Sequence, residues 1–235
     1  MMPVKQLLAS ALLIASGLSM ANAQAPAPQI DPNAPVYVVS YVDVQQAAKA
    51  QGMTLLKQFR SACAKEDGNL RCEAAQRLEQ QNEFVILEIW RNQKSFQAHT
   101  AGSGAQLRDK LKSILASPYD ERVHTGLVVP PLTPAPAARV VYVVTHVDVI
   151  PPRLGDTLPL LGPMAETNRK EAGNFRSEVY QQLAPRNNHF SLVEIWGNKR
   201  QLETHQSQAR TIQFRDKLQP LMGALYDERL YKVLD

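Results

Sequence analysis

The chain has 235 residues, of which 26 are Lys or Arg and 22 are Asp or Glu, for a net charge of +4. That charge is small and its two signs are interspersed along the whole chain, whereas a nucleic-acid-binding protein gathers its basic residues on one face or stripe. A nucleic-acid partner is therefore excluded.

The first residues carry a cation at Lys5, an apolar run from Leu7 to Leu18, and small residues at Ala21, Asn22 and Ala23. This is the pattern of a secretory signal peptide over residues 1–23, cut after Ala23. A membrane anchor is the alternative, disfavoured because the run falls short of the roughly 20 apolar residues a spanning helix needs. No later stretch could span a membrane, and the residue directly after the cut is Gln24, not a cysteine that could carry a lipid. The expectation is a protein that starts at Gln24, carries +3 without Lys5, and is periplasmic or secreted with no membrane partner. Residues 24–35 read as a flexible leader.

Val36–Val44 is rich in β-branched and aromatic residues and predicts a strand. Gln45–Lys65, rich in Ala, Leu, Lys and Gln, predicts a helix that Gly68 ends. Leu70–Leu78 and Glu83–Trp90 predict two strands joined by a polar turn. Asn92 can cap a helix running to about His99. A third helix, about Gln106–Leu115, leads through Pro118 to a last strand near Arg122–Val128. Residues 128–138, with four prolines, predict an extended spacer of roughly 30 Å at about 3.1 Å per residue.

Beyond the spacer the series returns. Val36–Val44 reappears as Val141–Val149, and Gly68–Arg71 as Gly173–Arg176, both 105 residues on. Phe84–Trp90 reappears as Phe190–Trp196, shifted by 106, and Tyr119–Arg122 as Tyr226–Arg229, shifted by 107. Four matches in order make the chain a tandem duplication, with one domain over residues 36–127 and a second over 139–235. Each repeat reads βαββααβ, an α+β fold with helices on one face of an antiparallel sheet. In the second repeat Pro151, Pro152, Pro159, Gly162 and Pro163 predict a kinked or late-starting first helix, because an interior proline removes a donor and clashes with the preceding turn.

Cys63 and Cys72 are the only cysteines, and in an oxidising compartment they can close a disulfide that ties the first helix to the next strand. A loop this short is worth about 2–3 kcal/mol by loop entropy. The matching residues of the second repeat are Asn168 and Ser177, so the bridge is a local staple. Two cysteines with no His or Cys at zinc spacing do not predict a metal site.

Alternation along Phe84–Trp90 puts Phe84, Ile86, Glu88 and Trp90 on one face, and the second repeat does the same with Phe190, Leu192, Glu194 and Trp196. A glutamate in an apolar row is costly unless paired, which marks Glu88 and Glu194 as pocket or ion-pair residues. Asn92, Phe96 and His99 share a helix face, as do Asn198, Leu202 and His205. Trp90 with His99, and Trp196 with His205, can thus meet in a cavity between sheet and helices. A Trp ending a core strand and a His on an apolar helix face are equally compatible with plain packing, and the Tyr-Asp-Glu-Arg segments read as a structural, ion-paired turn.

In both repeats the strand ending Glu-Ile-Trp, the capped helix and the His nine residues after the Trp resemble the antibiotic biosynthesis monooxygenase family. So do Lys65–Asn69 and Lys170–Asn174, an acidic-then-Gly approach to the second strand, and Phe214-Arg215. The resemblance implies a ferredoxin-like fold of the dimeric α/β barrel superfamily, whose sheets pair into a barrel. Here that implies an intramolecular pseudo-dimer, with a homodimer of such chains as the alternative. It also implies oxidation of a phenol- or quinol-type aromatic by dioxygen without metal or flavin. Such chemistry needs an apolar pocket, a hydrogen-bonding anchor and a base, a role that suits histidine.

His205, Trp196, His99 and Trp90 are the candidate catalytic residues. Asn198, Glu194, His146, Arg210, Asn92, Glu88 and Tyr41 are the candidate substrate contacts. Arg210 and Ser103 stand where many relatives carry a second His, and the first repeat has Gly102-Ser103-Gly104 where a helix normally runs. Tyr41 is matched by His146, which alone of the two titrates near neutrality. The second repeat is therefore the favoured site. A non-catalytic periplasmic domain binding a small hydrophobic ligand stays open as the alternative. Haem binding or degradation is a third reading, weakened because the first strands lack the Asn that haem-degrading relatives carry.

Overall fold

The computed structural model describes residues 31–133 and 140–234. The expected signal peptide, residues 24–30 of the leader, residues 134–138 of the spacer, Arg139 and Asp235 lie outside the described residues. Among those described, no helix is long and apolar enough to cross a membrane.

The first repeat runs β1 (Val36–Asp43), α1 (Lys49–Cys63), β2 (Asn69–Arg77), β3 (Glu83–Trp90), α2 (Gln93–Ala101), α3 (Ser103–Leu111) and β4 (Asp120–Val128). The second repeats the order with β5 (Val141–Asp148), α4 (Leu154–Asn168), β6 (Asn174–Gln182), β7 (His189–Trp196), α5 (Lys199–Gln206), α6 (Ala209–Leu218) and β8 (Asp227–Val233). A short 3₁₀ turn precedes α1 and α4 alike, and α3 starts earlier than the sequence suggests, directly after Gly102. Gly68 and Gly173 take positive φ of 80° and 89° at the turn into β2 and β6. A Cβ at Gly68 would also strike the Ser95 side chain, so both conformation and space call for glycine there.

Proline does not break α4, contrary to expectation. The helix starts at the position matching α1 and runs unbroken through Pro159 and Pro163. Both prolines are exposed, on the side opposite the buried Thr157, Leu161 and Ala165. The carbonyls they leave without a helical donor lie away from the face that packs Leu161 and Ala165 into the core, which lessens the penalty.

Eight antiparallel strands close one barrel in the order β1-β3-β2-β8-β5-β7-β6-β4. The repeats do not fold as two separate sheets. Each contributes the run 4-1-3-2, and the last strand of each pairs with the second strand of the other, β8 on β2 and β4 on β6. The barrel's inner core draws on both repeats, with Val39, Leu87, Tyr142, Val193 and Ile195 among its members. The outer faces are covered by helices, α1 and α3 over Phe84 and Ile86, α4 and α6 over Phe190 and Leu192.

Two buried ion pairs cross the interior. Arg71 grips Glu178 at 2.7 and 3.0 Å, and Arg176 grips Glu73 at 2.6 and 3.0 Å. Arg71 corresponds to Arg176 and Glu73 to Glu178, so residue i meets j while j meets i. That reciprocity is the signature of a two-fold interface, written here within one chain.

The interior also holds His124, 2% exposed, with Nε2 3.0 Å from Ser191 Oγ. Burial pushes it down to about 3, and burial likewise pushes His146 down to about 4. The unfolded chain takes up a proton near pH 6.5 while folded His124 does not, so stability must fall as pH drops from about 6.5 towards 3, by up to about 1.4 kcal/mol per pH unit. Buried Glu88 and Glu194, both pushed up by burial, act in the opposite sense at the acid end. The test is therefore a difference: urea unfolding of H124Q against the parent should show a shallower loss between pH 6.5 and 4, and equal slopes would contradict this origin.

Candidate active site

In the second repeat, Leu192, Glu194 and Trp196 project outward from β7 under α4, α5 and α6. A buried carboxylate is costly unless hydrogen-bonded, and Glu194 is well supplied. Asn168 Nδ2 donates at 2.7 Å, Ser177 Oγ at 3.2 Å and Trp196 Nε1 at 3.5 Å. Burial pushes its carboxyl above the usual range, and His205, Asn168 and Trp196 only partly offset that.

His205 is set by α5, whose start is fixed by Asn198 accepting from the Gln201 backbone N–H at 3.0 Å. Its ring lies on the Trp196 indole with centroids 4.6 Å apart and planes 30° from parallel. Nδ1 is 2.8 Å from Glu171 Oε1. That carboxylate also takes Arg210 Nη2 at 2.6 Å and Gln208 Nε2 at 3.0 Å. A carboxylate only accepts, so this partner puts a hydrogen on Nδ1, and in the neutral ring the lone pair is then on Nε2.

His205 and Glu194 line a cavity of about 240 Å³. Its apolar wall comes from α4 and α6, with Pro159, Leu160, Met164 and Phe214 beside Leu192 of the sheet. Its polar floor adds Asn168, Thr211 and Tyr226, and Arg210 and Lys217 stand at the rim. An apolar wall with a few convergent polar groups is the usual make-up of a small-molecule site.

The first repeat keeps the same frame but closes it. Trp90 stacks on His99 at 4.4 Å, Trp90 Nε1 donates to Glu88 at 2.9 Å, and His99 Nδ1 pairs with Glu66 at 3.0 Å. Cys63 and Cys72 are joined as a disulfide with Cα atoms 6.1 Å apart. They occupy the places of Asn168 and Ser177, so Glu88 lacks the two donors that serve Glu194. Phe59 replaces Met164 and packs edge-on against His99 at 5.6 Å, while His99 Nε2 lies 3.5 Å from Glu88 Oε2. A hollow of about 200 Å³ remains beside Phe59 and Leu107 but touches neither His99 nor Glu88. Among the described residues Cys63, Cys72 and Glu88 form a group close enough to share a metal, yet its two sulfurs are bonded to each other.

Several expected site residues stand elsewhere. Tyr41 and His146 belong to the inner face of the barrel: Tyr41 lies under Arg122 and Arg229 at 4.7 and 5.1 Å, and His146 Nε2 is 3.1 Å from His189 Nδ1. The sheet separates both from the cavity. Asn92 and Asn198 are helix caps, each accepting a backbone N–H with its side chain. Trp90 and Trp196 are fully buried and back the histidines; neither indole lines a cavity or can stack on a ligand. His99 and Glu88 meet with no space between them for one. His205, Glu194 and Arg210 do line the cavity. Sequence reasoning missed Glu171, Met164, Thr211 and Tyr226 as parts of the site; the recurrence of Glu66 and Glu171 before each glycine turn was the signal for the first.

Residues 35–106 match the antibiotic biosynthesis monooxygenase family model. Among solved structures, a Fusobacterium nucleatum protein provisionally named a monooxygenase has a TM-score of 0.76 at 16% identity, covering 86% of this chain and 93% of its own. One from Lactobacillus acidophilus with the same provisional name gives 0.69 at 12% identity, covering 86% and 95%. An anthrone oxidase-like protein gives 0.68 at 14%, covering 85% and 91%. At these identities the likeness is one of fold. No curated protein sequence matches.

Proposed function

From a chain whose first repeat carries an antibiotic biosynthesis monooxygenase domain, we propose a monooxygenase that oxidises a small phenol- or quinol-type aromatic with dioxygen, without metal or flavin, in the cavity of the second repeat. The observation that carries this reading is His205: one ring nitrogen is held by Glu171, and the residue lines a partly open, largely apolar cavity. Roughly 150 Å³ of apolar space suffices for benzene, so this cavity has room for a substituted ring.

In this reading His205 Nε2 takes the phenolic proton, and Glu171 steadies the imidazolium that results. The phenolate so formed is electron-rich enough to reduce dioxygen. For a phenol with an unsubstituted ring carbon, one oxygen atom joins that carbon, the C–H and O–H hydrogens leave with the other as water, and a quinone remains. Glu194, whose carboxyl burial pushes above the usual range, lines the same cavity and in its protonated form can return a proton to the reduced oxygen. The two repeats serve as halves of an internal pseudo-dimer in which the first keeps the scaffold and the second the chemistry, in a periplasmic or secreted setting.

Refilling the second cavity as the first is filled tests this directly. Met164→Phe should fold, since Phe occupies the matching position at 59, and should abolish oxygen uptake with a panel of quinols and naphthols. Uptake in the parent that persists unchanged in M164F would move the chemistry elsewhere. Tight binding of the panel without turnover in the parent would leave a binding domain only.

A further inference from the structure

We propose that Thr211 is a further substrate-binding residue, whose hydroxyl donates to the ionised phenolic oxygen that His205 produces; this rests on the monooxygenase reading above. Three observations converge on it. Thr211 lines the cavity. It is only 7% exposed, and its Oγ1 is buried with no hydrogen-bond partner. A buried hydroxyl left without a partner costs free energy, and a threonine near a helix start can still bond back to a carbonyl three or four residues before it. Thr157 on α4 does so, donating to the Arg153 carbonyl at 3.0 Å; Thr211 does not.

The internal repeat supplies the third observation. Leu107-Arg108-Asp109-Lys110-Leu111 aligns with Phe214-Arg215-Asp216-Lys217-Leu218, which puts Gly104 at the place of Thr211. A Cβ built on Gly104 would stand 3.0 Å from His99 Nε2. The position in the first repeat therefore lies against His99, beside its Nε2 and its backbone carbonyl at 3.1 Å, and the repeat places Thr211 beside His205 in the same way. The closed repeat has no side chain there, and the repeat with a cavity has a hydroxyl. One oxygen atom of a ligand can accept from Thr211 while its own proton passes to His205. The class of ligand this pair selects is a hydroxyl whose oxygen becomes anionic, a phenol, and not a neutral ether or hydrocarbon.

The test is binding of 4-nitrophenol, followed by its phenolate absorbance, together with 4-nitroanisole as the ether control, in the parent, T211S and T211V. T211S keeps the hydroxyl and T211V keeps the shape, so a folding defect would affect both ligands. The expected result is parent-like binding in T211S and a loss of at least about tenfold in phenolate affinity in T211V, with an upward shift in the ionisation of the bound phenol and unchanged 4-nitroanisole binding. Equal phenolate affinity in T211V and the parent would overturn the assignment while leaving oxygen uptake, and the wider reading, intact. Loss of phenolate binding in T211V alongside no oxygen uptake by the parent would support the Thr211 contact and remove the monooxygenase. No phenolate binding by the parent would overturn both.

Discussion

Replacing His205 by alanine should lower oxygen uptake by about 10²–10⁴-fold, the usual contribution of a positioned acid–base group, whereas His99→Ala should leave turnover unchanged. The two histidines are matched in sequence, in capped helix, in stacked tryptophan and in a glutamate on Nδ1. They differ in what lies against the ring. His99 has Glu88 and Phe59 against it and does not line the hollow of the first repeat, whereas His205 lines the cavity of the second repeat. A comparison of the two single variants therefore separates the chemistry of the ring from the architecture that holds it. Glu171→Gln should fall between them, because the amide can still accept from Nδ1 but gives the imidazolium no counter-charge. Equal losses in H99A and H205A would contradict the asymmetry.

The second large effect concerns the barrel. Strand pairing between repeats is uneven: β4 meets β6 over His124–Val128, but β2 meets β8 over Ala75–Arg77 only, whereas β1 and β3 pair along their full length. Much of the burden of joining the repeats falls on the inner core and on the crossed Arg–Glu pairs. The Arg71 and Glu178 side chains are 7% and 1% exposed. Removing one partner of a buried pair strands the other charge, and Arg71→Met should cost about 3–5 kcal/mol in urea unfolding. The nearby Tyr180 hydroxyl and Arg176, 4.0 Å from Glu178, place the expectation at the lower end. The double variant R71M/E178L should recover most of that loss, since two apolar side chains of similar length leave no charge unpaired. A single variant as stable as the parent would mean that water reaches this interior.

Much of the scaffold could be read in the sequence because the duplication doubled every signal. Two copies of Val-Tyr-Val-Val and of Glu-Ile-Trp marked the same series of elements twice along the chain, and alternation along β3 and β7 put Glu and Trp on the helix side, where they stand. The misplacement of Tyr41 and His146 has a definite origin. Alternation assigns faces within one strand, but the face that β5 shares with β7 depends on register. Glu194 pairs with Val143, which leaves His146, three residues on, pointing the other way. Register comes from long-range pairing and was not legible in one sequence.

The prolines of α4 erred for a related reason. Pro159 and Pro163 are four residues apart and share one face, and Thr157, Leu161 and Ala165 share the opposite one. Proline counted alone argues for a kink, while proline placed on the solvent face of an amphipathic helix is tolerated. The open and closed states of the two cavities rest on Met164 against Phe59 and on Asn168 and Ser177 against Cys63 and Cys72. Those pairs are visible in the aligned repeats, but their consequence depends on depth beneath the helices. The cysteines were readable as a staple; that they take the place of the two donors to a buried glutamate was not.

The most direct measurement is a crystal structure of the protein soaked, without oxygen, with a naphthol. The account predicts the ring between α4 and α6 against Met164 and Phe214, its hydroxyl oxygen within hydrogen-bonding distance of His205 Nε2, and no ligand beside His99. A ring bound in the first repeat, or in the barrel interior beside His146, would contradict it.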